Sequence, residues 1–220
     1  ELSAFRQFYC NFGFQMELNA DKYKTIEAIS EGLYKEKGSK FLSFAIPVKS
    51  VEETKEILAE YRKRFFDARH VCYAYMLGYD RTEFRANDDG EPSGTAGRPI
   101  LGQINSRELT NVLVIVVRYF GGVLLGTGGL VTAYKEAAAD ALNAAEINEH
   151  TVKNAFSIAF GYLSMNEVMK VIKELNAEIA NQTFDNECNM TILVDKSQAP
   201  LLMSKFDNNA DVKLDDLGFR

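Results

Sequence analysis

The sequence predicts a mixed α+β protein built as two domains, and three observations carry that expectation. Residues 111–119 (NVLVIVVRY) form a continuous apolar run, as expected of a strand buried on both faces. A glycine-rich stretch follows, then an alanine-rich run of helical period whose small side chains let a helix lie close against a sheet. After a polar stretch at residues 146–153 the pattern runs β-α-β-β-α-β towards the end of the chain. At 220 residues there is chain enough for two cores.

Taken in order, residues 22–33 are ambiguous. Ile26, Ile29 and Leu33 fit a helical period, while Tyr23, Thr25 and Glu27 suit one face of a strand. Residues 40–48 are rich in strand formers, with Pro47 expected at a strand end or an edge. Ser50 and Glu53 make a capping box for a helix whose face carries Ile57, Leu58, Tyr61 and Phe65. Residues 70–77 alternate as a strand: His70, Cys72, Ala74 and Met76 point one way, Val71, Tyr73, Tyr75 and Leu77 the other. Residues 85–99 have no periodicity and are expected to be loop throughout, with a helix or short apolar turn beginning at Pro99. Leu130, Tyr134, Ala137, Ala138 and Leu142 mark the inner face of the alanine-rich helix.

Residues 146–153 are expected to be a polar hinge between domains. Beyond it, Phe156, Ile158 and Phe160 alternate along a strand. Ser164 and Glu167 make a second capping box, for a helix facing inward with Val168, Met169, Ile172 and Leu175. Residues 178–184 and 187–195 are expected to pair as a hairpin around Asp185 and Asn186. Pro200 suits the first turn of a short helix, and residues 212–217 a last strand.

Composition narrows the class. Apolar residues at 46% and charged residues at 25% are ordinary for a globular protein. A net charge of −6 argues against broad electrostatic binding of nucleic acid, though not against a local basic patch. Cys10, Cys72 and Cys188 are odd in number and widely spaced, which implies free thiols in a reducing compartment, with the cytoplasm as the expected location. No stretch reaches the ~18 apolar residues of a membrane span. Residues 1–15 lack the apolar core of a signal peptide and are expected to be a leader or an appended extension ahead of Met16.

Two segments carry the candidate site. The first holds five glycines in nine positions: Gly121, Gly122, Gly126, Gly128 and Gly129. Glycines let backbone N–H groups approach a ligand, and a helix N-terminus favours an anion. The same glycines would equally permit left-handed turns and close helix-on-sheet contact. Known phosphate loops do not fit: a Walker A loop needs Lys at Thr127, and a dinucleotide fingerprint needs Gly or Ala at Val131. The second segment holds Asp88, Asp89, Gly90, Glu91, Ser93, Gly94, Thr95, Gly97 and Arg98. Its carboxylates suit a cation or acid–base work, or simply a turn-rich surface. An EF-hand register fails at Arg85 and Ala96, and Ser93 lacks a nucleophile elbow. Arg118, ending a buried strand, must find a partner, and Asp88, Asp89 and Glu91 are the obvious ones. His70 and Cys72 share a strand face but do not make a zinc site, so no metal site is expected. Arg62, Lys63 and Arg64 end the first helix, either as a solvated terminus or as a phosphate-contacting patch. Catalytic residues and cofactors are left open.

The motif at residues 86–99 (ANDDGEPSGTAGRP) and that at residues 118–134 (RYFGGVLLGTGGLVTAY) together strongly resemble the YigZ/IMPACT family, with further matches at residues 38–41 and 67–70. The resemblance spans roughly residues 20–220. It implies a first domain, expected at residues 16–147, of the left-handed βαβ type shared by a small-subunit ribosomal protein and elongation factor G domain IV. The second, expected at residues 150–220, is implied to be ferredoxin-like, as in elongation factor G domain V. It implies that residues 22–33 are largely strand. It also implies translation regulation by a non-enzymatic binding protein whose partner is RNA, the ribosome or a translation factor, with no membrane role. The alternative is an enzyme or sensor that holds a small or phosphate-bearing ligand between the two segments. Convergence of both segments on one pocket would favour a ligand site; a flat, salt-bridged surface would favour a binding module.

Overall fold

The structure, a computed structural model, describes residues 22–185, 188–207 and 209–219. The expected leader, Met16, Cys10 and the Asn186 turn position lie outside the described residues. Described residues fall into two compact units, 23–150 and 151–219 together with Lys22. Both are mixed α/β with antiparallel sheets.

The first unit holds strands β1 (Lys22–Ile26), β2 (Ser30–Glu36), β3 (Ser39–Pro47), β4 (His70–Leu77), β5 (Glu83–Asn87), β6 (Val112–Tyr119) and β7 (Ile147–Thr151). Its helices are α1 (Val51–Arg64), α2 (Gly97–Ser106) and α3 (Gly126–Asn143). Five strands form one antiparallel sheet in the order β2-β3-β6-β4-β5. Since β6 runs antiparallel to both β3 and β4, those two are parallel to each other, and α1 makes the crossover between them. The apolar run of β6 is central because both faces are covered. Val112, Val114 and Val116 pack with Cys72, Ala74, Met76 and the helices α2 and α3. Leu113, Ile115 and Val117 pack with Val71, Tyr73, Tyr75 and Leu77 over α1. The alternation expected for residues 70–77 is thus the division between two cores. Small residues set the closeness of α3: a Cβ on Gly32 of β2 would lie 2.5 Å from the Ala141 nitrogen.

Three local expectations need correction. Residues 85–87 are not loop but the end of β5, a polar edge strand paired to β4. The loop also ends early, because α2 starts at Gly97 rather than Pro99. The division between the two units falls within residues 146–153, but these are paired strand rather than an irregular linker: β7 pairs with β1 as a two-stranded sheet, and β8 starts at Lys153. Strand pairing, rather than apolar pattern, orders these polar segments. The ambiguous residues 22–33 form β1 and the start of β2.

In the second unit, β8 (Lys153–Phe160), α4 (Met165–Glu174), β9 (Glu178–Phe184), β10 (Cys188–Asp195), α5 (Ala199–Phe206) and β11 (Val212–Phe219) follow one another in the expected order. Short 3-10 turns at Tyr162–Ser164 and Lys196–Gln198 lead into the helices. The sheet order is β11-β8-β10-β9. Phe156, Ile158 and Phe160 pack under Val168, Val171, Ile172 and Leu202. The capping box at Ser50 forms: its Oγ accepts the Glu53 N–H at 3.1 Å, while Glu53 accepts the Lys49 N–H at 2.7 Å. The one at Ser164 does not, because Ser164 already has helical backbone (ψ −2°) and its side chain makes no cap bond.

Candidate functional site

The segment after β5 is organised by Asp88. Its carboxylate accepts N–H groups from Gly94 (2.8 Å), Ala96 (3.0 Å) and Gly97 (2.8 Å), closing the loop and capping α2, whose own N-cap residue is the non-polar Ala96. Burial alone would raise this carboxyl, but those backbone donors and the Arg98 charge outweigh it and hold it below the ordinary value. Asp89, at φ +44°, is equally engaged. It accepts from Arg62 at 2.8 Å and from the Val71 N–H at 2.7 Å, and its carbonyl lies 2.7 Å from His70 Nδ1. A carbonyl only accepts, so His70 Nδ1 carries a proton. Gly97 is required by packing, since a Cβ there would lie 2.5 Å from the Asn87 nitrogen. Thr95 is buried and donates to the Pro92 carbonyl, while Ser93 and Arg98 are exposed.

Of the three partners open to Arg118, Glu91 is the one used. Arg118 Nη1 donates to Glu91 Oε1 at 2.6 Å, with side chains 7% and 3% exposed. The Tyr134 hydroxyl of α3 donates to the same oxygen at 2.8 Å, and His70 Nε2 stands 3.8 Å away. The guanidinium carbon lies over Phe41 at 5.5 Å and Phe120 at 5.7 Å. Cys72 is close by, 3.1 Å from the Asp88 carbonyl and 3.3 Å from the Tyr134 hydroxyl, and burial pushes its thiol well above its ordinary value. That environment opposes a thiolate nucleophile.

The glycine segment divides into two parts. A Cβ on Gly121 would run into the backbone of Gly38, so this glycine is a contact between strand ends. Gly122 has φ +88° and belongs to the loop proper. Gly126, in the left-handed region at φ +71°, turns the chain into α3, and Gly128 and Gly129 lie in the first turn of that helix. Gly126 and Thr127, with Glu91, Arg118, Arg69 and His70, line a cleft of about 450 Å³. Phe120, Leu124 and Leu125 form its apolar part, and Leu124 is 83% exposed.

The structure therefore brings Glu91, Arg118 and Gly126 to one cleft, but not Asp88, Asp89 or Ser93. The residues missed by sequence reasoning are Arg69, Thr127 and the apolar Phe120, Leu124 and Leu125. Two large apolar residues inside a glycine-rich segment were the signal for the last group. The basic run is largely engaged with its own unit: Arg62 pairs with Asp89, and Arg64 lies over Phe44, Tyr61 and Phe65 at 5.8, 5.8 and 5.1 Å, while Lys63 is exposed. Among the described residues no group of three or more His, Cys, Asp or Glu is placed to hold a metal, and no helix is long and apolar enough to cross a membrane.

The Impact N-terminal domain family matches residues 37–142. Over 150 residues the chain is 33% identical to the IMPACT family member YigZ of Escherichia coli, covering 67% of this chain and 74% of that one. Over 152 residues it is 32% identical to the IMPACT family member YvyE of Bacillus subtilis, covering 69% and 70%. A crystal structure described as that of a hypothetical protein is similar across 88% of this chain and 96% of its own, at 27% identity and a TM-score of 0.66.

Proposed function

The chain belongs to the IMPACT family, and from that premise we propose that it is a translation-associated regulatory binding protein which meets its partner at the cleft beside α3. The observation that carries this is how the cleft's groups are employed. Its one carboxylate, Glu91, is buried and held by Arg118 and Tyr134, whereas Leu124 at the rim stands 83% exposed. An acid fixed in an ion pair is poorly placed for proton transfer, and an exposed large apolar group beside polar ones suits recognition. Exposed Arg98 and Lys63 extend the surface that a ribosomal, RNA or translation-factor partner would meet.

The same reading takes residues 16–147 as a left-handed βαβ domain of the ribosomal-protein and elongation factor G domain IV type. It takes residues 150–220 as a ferredoxin-like domain of the domain V type. The order β-α-β-β-α-β with strands β11-β8-β10-β9 supports the second assignment. Unpaired buried thiols at Cys72 and Cys188 support a reducing, cytoplasmic setting. The test is co-sedimentation with salt-washed ribosomes and model RNAs at low ionic strength. Wild type should pellet with one of them and Leu124→Asp should not; no binding by wild type to either would end the proposal.

A further inference from the structure

The loop between β6 and α3 holds out more apolar surface than a glycine-rich turn needs. Phe120 is 46% exposed, Val123 51% and Leu124 83%. Single exposed apolar side chains are ordinary, but a group of them on one loop beside a cleft marks a contact surface. Phe120 and Leu124 belong to the cleft lining, which Pro92 and Leu125 continue in apolar character. The charges of the cleft are not equally available. Glu91 and Arg118 satisfy one another, and the Arg118 guanidinium lies over Phe41 and Phe120. Arg69 differs. It is exposed and lines the same cleft, and its guanidinium makes no ion pair or hydrogen bond among the described residues. What the cleft leaves unmatched is an apolar wall and one cation, so the complementary occupant brings an apolar side chain and a carboxylate.

We propose that the cleft and the loop at its rim dock a protein segment: a large apolar side chain seats against Phe120 and Leu124, and a neighbouring carboxylate of the same segment pairs with Arg69. RNA fits less well. A strand needs a row of cations for its backbone and open aromatic faces for its bases. Here Arg69 is the one unpaired cation of the lining, on a chain of net charge −6. Phe120 already carries Arg118, and the other exposed side chains of the loop, Val123 and Leu124, are aliphatic. A small molecule held inside the cleft would leave Leu124, which stands out from the surface, largely uncovered, whereas a protein surface packs around it. The proposal rests on the reading of the cleft as the contact surface and names protein as the class of partner met there.

The experiment is selection of a phage-displayed library of random short peptides on the full chain. Selected peptides are then titrated by fluorescence anisotropy on wild type, Leu124→Ser, Arg69→Ala and Arg69→Glu. Leu124 and Arg69 are both exposed, so these variants keep the fold, as circular dichroism verifies. Peptides enriched on wild type over Leu124→Ser should share a large apolar residue beside an acidic one. Leu124→Ser should weaken them about tenfold or more at any salt concentration, the loss of a central apolar contact. Arg69→Ala should weaken them about threefold at low ionic strength, an effect that shrinks as salt is raised, as for an exposed charge pair. Arg69→Glu should regain binding when the peptide's acid is replaced by lysine. No peptide enriched over Leu124→Ser, a consensus without an acidic residue, or affinities unchanged by both substitutions overturns the proposal. So does a cleft that takes a short single-stranded RNA, or a second copy of the chain in analytical ultracentrifugation, and no peptide. The outcomes separate from the ribosome test. Ribosome or RNA binding with no peptide selected removes this inference and keeps the proposed function. Peptide binding that meets these criteria without ribosome or RNA binding does the reverse.

Discussion

Two acidic side chains three positions apart have opposite duties, and their substitutions should separate them. Glu91 neutralises a buried arginine. Removing one member of a buried ion pair leaves the other charge uncompensated, so Glu91→Ala should cost about 3–5 kcal/mol in urea unfolding, with the loss of the Tyr134 hydrogen bond included. Asp88 instead binds three backbone N–H groups, and Asp88→Asn should cost about 2 kcal/mol at neutral pH. Because its folded-state pKa is depressed, the Asp88 contribution is complete above the ordinary carboxylate value and is lost as pH falls through the folded value. The gap between wild type and Asp88→Asn should therefore be full at pH 7 and narrow as the pH is taken below about 4. A gap that stays constant with pH would show that the carboxylate's charge is not what the loop uses.

The helices and strands differ in how openly the sequence displays them. The faces of β4 and β6 are legible because each is bounded by two apolar cores, so alternation survives in the residue types. The edge strands β5 and β7 are illegible because Glu83–Asn87 and Ile147–Thr151 are polar; their order comes from backbone pairing, β5 with the preceding strand β4 and β7 with the distant β1. The same holds at helix starts. Ser50 and Ser164 head similar motifs, but a 3-10 turn already occupies the second position, which the residue pattern cannot reveal. Ser50→Ala should cost about 1 kcal/mol, and Ser164→Ala less than half of that, measured side by side by thermal unfolding. Glycines mislead in the same way: Gly128 and Gly129 of the glycine-rich segment are helical, and Gly128→Ala should raise stability by about 0.5–1 kcal/mol.

At the scale of the whole molecule, an acidic chain carries a small positive cleft. Any binding to RNA should then be only weakly salt-dependent, with a slope of log K against log salt of about −1 to −2, one or two phosphates rather than a tract. A steeper slope, measured by fluorescence anisotropy across salt concentrations, would require a wider basic surface than the cleft provides. The two-part organisation was visible in the change of pattern after residue 150. The pairing of Arg118 with an acid of the second motif was foreseeable from burial alone, but the cleft was not. Its walls come from Arg69 and His70, from Glu91 and from the start of α3, which only the fold assembles. The β1–β7 pairing carries a separate consequence. It brings Tyr23 and His150 face to face, with ring centroids 5.5 Å apart, and Glu27 to 2.8 Å from the His150 ring, so the first unit begins and finishes at one place. A chain that leaves where it enters is topologically a loop. The first unit can be circularly permuted, with its old ends joined by a short linker and new ends opened at the turn between β4 and β5, while every strand keeps its neighbours.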